Sequence, residues 1–188
     1  NNLQVISSLF DLQAARITDD YALKILQEGQ GRVRSIALLH HQLYQQEDFT
    51  GVKLNKFVND LYRQVFEVFK KPDKPITFVC DLPDTIIFLD VAIALGLILN
   101  ELFSNAFKFA LYQVEQPTLK VSISQLKDDY ILTVSDNGPG MPEGFDYKKS
   151  RSLGIHIIRQ LSRQIQGKME YSYKNGSHFN IYFKNTIQ

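Results

Sequence analysis

The run Asn100-Glu101-Leu102-Phe103-Ser104-Asn105-Ala106-Phe107-Lys108 sets three polar groups at helical spacing inside an apolar segment. Glu101 and Asn105 are four residues apart, one turn along the same helix face, and Lys108 lies three further on. Residues 91–99, directly before them, are the longest apolar stretch, bounded by Asp90 and Asn100. A membrane span needs about 20 such residues, so the pattern predicts a core helix, with Asp90 as its N-cap, running to about residue 111. A carboxylate, a carboxamide and an ammonium are thereby aligned on one helix. The Asn105 amide oxygen can ligate Mg²⁺, Lys108 can meet phosphate oxygens, and Glu101 can polarise a nucleophile or hold a metal's water. A solvated helix face is the plainer alternative, and the apolar residues around these three argue against it.

Two further clusters lie downstream. Asp136-Asn137-Gly138-Pro139-Gly140-Met141-Pro142 follows a strand pattern, and its glycines and prolines let the backbone turn sharply against a flat ligand. Asp136 at the strand end can accept a hydrogen bond from an exocyclic amine. Taken alone, this segment reads equally well as an ordinary turn. It is neither a P-loop nor a dinucleotide fingerprint, because Glu143 stands where the third glycine of that fingerprint would be. Ser152-Leu153-Gly154-Ile155 opens a helix after the basic loop Lys148-Lys149-Ser150-Arg151, and a helix N-terminus beside cations suits an anion.

Around these clusters the chain divides near residue 50. Before it, Leu3, Ile6 and Phe10 mark one helix to about residue 17, and Thr18-Asp19-Asp20 is a polar break able to cap the next. Leu26, Gly29, Val33, Ile36, His40 and Leu43 then recur at alternating intervals of three and four, a heptad seam. An antiparallel hairpin follows, whose apolar faces are covered economically by dimerisation into a four-helix bundle. Packing on the downstream domain is the alternative cover.

After residue 50 the patterning predicts a helix from Leu54 to Lys71, strands over 76–82, 119–126 and 130–135, and a glycine- and charge-rich loop over 137–152. A helix over 153–165 and strands near 169–173 and 178–183 close the chain. Lys127-Asp128-Asp129 is expected to turn between two of these strands, and Lys174-Asn175-Gly176 between the last two. The fold class is α+β, helices against a mixed or antiparallel sheet.

The whole composition fits this picture. The 188 residues carry 21 Lys and Arg against 20 Asp and Glu, a net charge of +1, which argues against a coat for nucleic acid or an anionic membrane. With 44% hydrophobic and 22% charged residues the chain is an ordinary globular one, and Cys80, the single cysteine, allows neither an internal disulfide nor a cysteine-based metal cluster. It is expected as a small buried hydrophobe. No basic segment leads into an apolar one at the start, so no signal peptide is expected. The first residues, without a start methionine, read as mid-helix, so the chain is expected to be a piece of something longer.

Glu101-x-x-x-Asn105-Ala106-x-Lys108, then Asp136-x-Gly138-x-Gly140, then Leu153-Gly154 and Gly176-Ser177-x-Phe179 together resemble the ATP-binding Bergerat fold of gyrase, a heat-shock chaperone, mismatch-repair ATPases and histidine kinases. The stretches from Asn1 to Leu9 and from Arg32 to His40 resemble the dimerisation and phosphoacceptor hairpin of bacterial sensor histidine kinases. The resemblance covers essentially the whole chain and implies two domains, residues 1–50 as hairpin and 51–188 as ATP-binding domain. It implies that Asn105 holds Mg²⁺ between the phosphates of ATP and that Lys108 contacts the phosphate chain. Asp136 would read the adenine amine, with Gly138 and Gly140 shaping its pocket. Residues 141–153, with Met141, Lys149, Arg151 and Leu153, would form the ATP lid, and Gly154 would bring a helix N-terminus to the phosphates.

Ser177 stands where a threonine is commoner and keeps a hydroxyl near the base. Glu101 stands where many sensor kinases carry asparagine, and its role is open between general base and metal-shell ligand. The implied partners are a second copy, through the hairpin, and a response-regulator receiver domain, with the catalytic portion in the cytoplasm. In this family the phosphoacceptor histidine lies just before the Asn-Asn-Leu-Gln run, upstream of Asn1. His40 sits on the seam as a packing residue, and His41, His156 and His178 carry no adjacent carboxylate to activate them.

Overall fold

The computed structural model describes residues 2–44, 51–71, 74–126, 129–150 and 152–185. Two helices open the chain, α1 (Asn2–Ala14) and α2 (Asp20–Tyr44). Between them the Asp19 carboxylate accepts the Ala22 N–H at 2.6 Å and caps the second helix, as the polar break suggested. Then come β1 (Val52–Lys53), α3 (Leu54–Phe69), β2 (Thr77–Asp81), β3 (Ile86–Ile87) and α4 (Leu89–Phe109). A 3₁₀ turn at Leu111–Gln113 leads to β4 (Thr118–Leu126), β5 (Asp129–Asp136), α5 (Leu153–Gln164), β6 (Lys168–Tyr173) and β7 (Ser177–Lys184).

Five strands form one sheet in the order β2-β4-β5-β7-β6, antiparallel except for the parallel pair β2 and β4. Alternation sets its inner face. Along β7, Ser177, Phe179, Ile181 and Phe183 are buried while the residues between them are half-exposed, and Leu132 and Val134 do the same on β5. Helices α3, α4 and α5 cover that face, giving the α+β sandwich expected. The turn residues Lys127 and Asp128 lie outside the described residues; Leu126 and Asp129 on either side are paired.

α4 is apolar almost all round, which suits a helix buried on every side. By length and hydropathy it could cross a membrane, but 67% of that stretch is buried inside the protein. Phe103 and Phe107 anchor it in an aromatic cluster with Tyr62, whose ring stacks on Phe78 at 3.7 Å between centroids. Its start corrects the sequence reading: Phe88, not Asp90, is the cap residue, and Asp90 stands in the first turn. The cap bond comes from far away, since the Asn185 side chain accepts the Phe88 N–H and donates to the Ile86 carbonyl, both at 2.9 Å. Asp90 still suits its place, because a carboxylate in the first turn faces the positive helix end. Cys80, on the edge strand β2, is half-buried rather than enclosed, and burial pushes its thiol pKa up.

The hairpin does not stand apart. Among the described side chains of α2 the most buried are Gln30, Ser35 and Leu39, a face offset from the heptad seam. Leu39 enters the common core beside Phe57 and Gly96, where a β-carbon on Gly96 would come within 3.1 Å of it. Gly29, on the seam, faces Phe10 of α1. The hairpin therefore packs on its own downstream domain and still leaves Ile6, Leu9, Leu12 and Ile25 exposed.

Candidate active site

A cavity of about 1180 Å³ opens between α4, α5 and the facing ends of β5 and β7, with α2 and α3 closing one side. At the sheet end Asp136 is the last residue of β5 and Ser177 the first of β7; the register Ser135↔His178 sets them side by side. The Asp136 carboxylate accepts the Gly138 N–H at 2.9 Å. Burial raises its pKa above the ordinary aspartate value, while hydrogen bonds from Gly138 and from the Ser177 N–H and hydroxyl, and the charge of His178, pull it back.

Gly140 has φ +79°, a conformation that favours glycine, and a β-carbon there would strike the Tyr173 ring at 2.5 Å. Next to it the Met141 N–H donates to the Tyr171 hydroxyl at 3.0 Å, tying down the near end of the 141–152 loop. Tyr171 was not singled out in the sequence, where it reads as one more aromatic on an alternating strand.

At the other end three elements meet. Glu101 lies against the start of α5 so closely that a β-carbon on Gly154 would be 2.9 Å from its Oε2, and the Asn105 amide nitrogen would be 3.7 Å from the same point. From the opposite side Arg32 of α2 donates through Nε to Glu101 Oε1 at 2.8 Å and through Nη2 to Oε2 at 3.2 Å. Lys108 Nζ is bound to Glu28 of α2 at 2.8 Å. Neither Glu28 nor Arg32 stood out as a site residue in the sequence. Their four-residue spacing and opposite charge were the available signal, masked by the apolar seam on the same helix.

Glu101, Asn105 and Lys108 line the cavity, as do Asp136, Gly140, Met141, Leu153, Gly154 and Ser177. Gly138 is not part of the lining; it contributes its N–H to Asp136. Lys149 points outward, its side chain 88% exposed and 3.7 Å from Asp146. Arg151 lies outside the described residues. Chemically, the cavity offers a carboxylate acceptor at one end. The other holds hard oxygen donors, the Lys108 ammonium and the N-terminus of α5. That pairing suits a ligand with an amine-bearing ring and an anionic tail.

The sandwich and the cavity at its open edge are matched by known families. Residues 90–187 match the model of the histidine kinase-, DNA gyrase B-, and HSP90-like ATPases, and residues 1–69 match a histidine kinase model. The chain belongs to that ATPase family. The sensor histidine kinase PdtaS of Mycolicibacterium smegmatis is 33% identical over 162 residues, 86% of this chain and 32% of that protein. PdtaS of Mycobacterium tuberculosis is 33% identical over 173 residues, 90% of this chain and 34% of that protein. The chain thus spans about a third of the length of the curated relatives it matches.

Among solved structures, the histidine kinase domain of the Erythrobacter litoralis blue-light-activated kinase EL346 superposes with TM-score 0.72 at 20% identity, covering 98% of this chain and 86% of that one. The Acinetobacter baumannii histidine kinase AdeS superposes with TM-score 0.60 at 22% identity, covering 98% and 96%. The fold is that of histidine kinase catalytic domains, in line with the Bergerat architecture expected.

Proposed function

We propose that this chain is the catalytic core of a sensor histidine kinase, which binds Mg-ATP and moves its γ-phosphoryl group onto a histidine nitrogen. One observation carries this reading. A half-buried acceptor, Asp136, faces one end of a cavity whose other end gathers Glu101, Asn105, Lys108 and the N-terminus of α5. The helical hairpin closes the same cavity.

Asp136 accepts the adenine amino group, with Ser177 beside it and Gly138 and Gly140 shaping the turn. Residues 141–153 are the lid, with Lys149 and Arg151 as its cations. Lys108 and the α5 N–H groups at Gly154 neutralise the phosphate chain, so ATP takes Lys108 from Glu28 on binding. The Asn105 amide oxygen, with Glu101 nearby, fits Mg²⁺, which takes a few protein oxygens and completes its shell with phosphates and water. When bound, Mg²⁺ neutralises charge developing on the transferred group. The bond from the β–γ bridging oxygen to the γ-phosphorus breaks, ADP leaves, and a P–N bond forms on a histidine expected upstream of Asn1. Glu101 acts there as base or as a metal-shell ligand.

The division near residue 50 belongs to this reading. So do a homodimer through the exposed apolar residues of α1 and α2, a response-regulator receiver domain as the next acceptor, and a cytoplasmic location for this portion. Titration with Mg-ATP and incubation with γ-labelled ATP test it on this chain. Binding with no label on the chain is expected. Acid-labile label on the chain would promote His40 or His41 to acceptor, and absence of binding would favour a non-catalytic hairpin dimer.

The pH dependence follows from Asp136. Its raised folded-state pKa means that the folded chain keeps the proton to higher pH than the unfolded chain. This group's contribution to stability therefore declines as pH rises from the ordinary aspartate value through the folded one. The ionised carboxylate is the stronger acceptor for an amine, because the neutral acid turns one oxygen into a donor. Affinity for adenosine, which carries no titrating phosphate, is expected to fall on acidification with a midpoint above the ordinary aspartate value. Asp136→Asn should flatten the profile; an unchanged profile in that variant would assign the titration elsewhere.

A further inference from the structure

We infer that Arg32, on the second hairpin helix, is a positioning residue for Glu101 in the phosphoryl-transfer site. The inference rests on the kinase reading above. Arg32 Nε and Nη2 engage the two carboxylate oxygens separately, at 2.8 and 3.2 Å, the fork geometry that fixes orientation as well as charge. The pair is well enclosed, with 19% of the Arg32 side chain and 9% of the Glu101 side chain exposed. Glu101 lines the cavity and Arg32 does not, so Arg32 stands behind the carboxylate, away from the ligand.

On its other side Glu101 meets the start of α5 at Gly154, where a β-carbon would come within 2.9 Å of its Oε2. The carboxylate is held between the two. A buried ion pair is a poor device for stability alone, because desolvation offsets its attraction and an apolar pair packs as well. What the fork supplies here is a single orientation for Glu101. It comes from a helix 69 residues upstream, so the geometry of the site depends on α2 being docked. The same helix face carries Glu28 to Lys108, one turn before Arg32.

The test is a double-mutant cycle in the full-length protein, with Arg32→Gln, Glu101→Gln and both, read as the maximal rate of acid-labile phosphoprotein formation and as KM for ATP. Arg32→Gln is expected to lower the maximal rate by about 100-fold, the scale of a misplaced catalytic group, while KM moves about twofold or less. The double variant should be no slower than Glu101→Gln alone. Arg32→Lys keeps the charge without the fork and should fall between. Losses that multiply in the double variant, or a full rate in Arg32→Gln, would overturn the inference.

Arg32→Gln leaves a buried carboxylate unpaired. If circular dichroism finds it unfolded, Arg32→Lys, alone and with Glu101→Gln, carries the same cycle. Wild-type protein that makes no phosphoprotein would overturn the kinase reading instead, and the cycle is then read on phosphate release. A wild type that does neither would overturn both.

Discussion

Asp136→Ala is expected to weaken ATP binding by about 100-fold while the domain stays folded. A hydrogen bond to a charged group contributes about 1.5–3 kcal/mol, and each 1.4 kcal/mol is a decade in Kd. Stability should change little, because burial already raises the pKa of this carboxyl and its ionised form opposes folding. Losing the bonds from Gly138 and Ser177 offsets part of that relief. Calorimetry and thermal unfolding measure the two effects separately. Unchanged affinity would remove Asp136 from adenine recognition, and an unfolded variant would make it a structural residue of the β5 end.

Asn105→Ala is expected to cost at least about 100-fold in affinity for Mg-ATP and much less for ATP in chelator. The scale comes from metal sites, where altering even a residue that only supports a ligand costs about 10- to 100-fold in metal affinity. The amide oxygen is lost, and Glu101, held in one orientation by Arg32, does not move to replace it. ATP titrations with and without Mg²⁺ decide it. Equal losses under the two conditions would mean that Asn105 touches the nucleotide rather than the metal.

Much of this was legible in the sequence because its signals are local. The alternation along β5 and β7, the apolar run before Asn100, and the Glu101, Asn105 and Lys108 spacing each report a neighbourhood within one element. What escaped comes from distant parts of the chain. The bond to the N–H of Phe88, the cap residue of α4, comes from Asn185, 97 residues away, while the nearby Asp90 is what the local sequence suggests. The two-residue pairing of β1 with β3, Val52↔Ile87, is too short for any period to show. α2 carries two patterns at once, an apolar seam that reads clearly and a face of Gln30, Ser35 and Leu39 that reads as solvent exposure. Only the tertiary contact with α4 reveals why that face is buried, and with it why Glu28 and Arg32 meet Lys108 and Glu101. Lys149 lies in a basic loop beside a helix start, and its side chain lies near Asp146.

The most direct measurement compares this chain with the full-length protein carrying the residues before Asn1, each incubated with γ-labelled ATP and Mg²⁺. Label that survives base, is lost in acid and appears only on the longer chain is the expected result. Phosphate release with no labelled protein on either chain would contradict histidine phosphorylation and leave an ATPase on this fold.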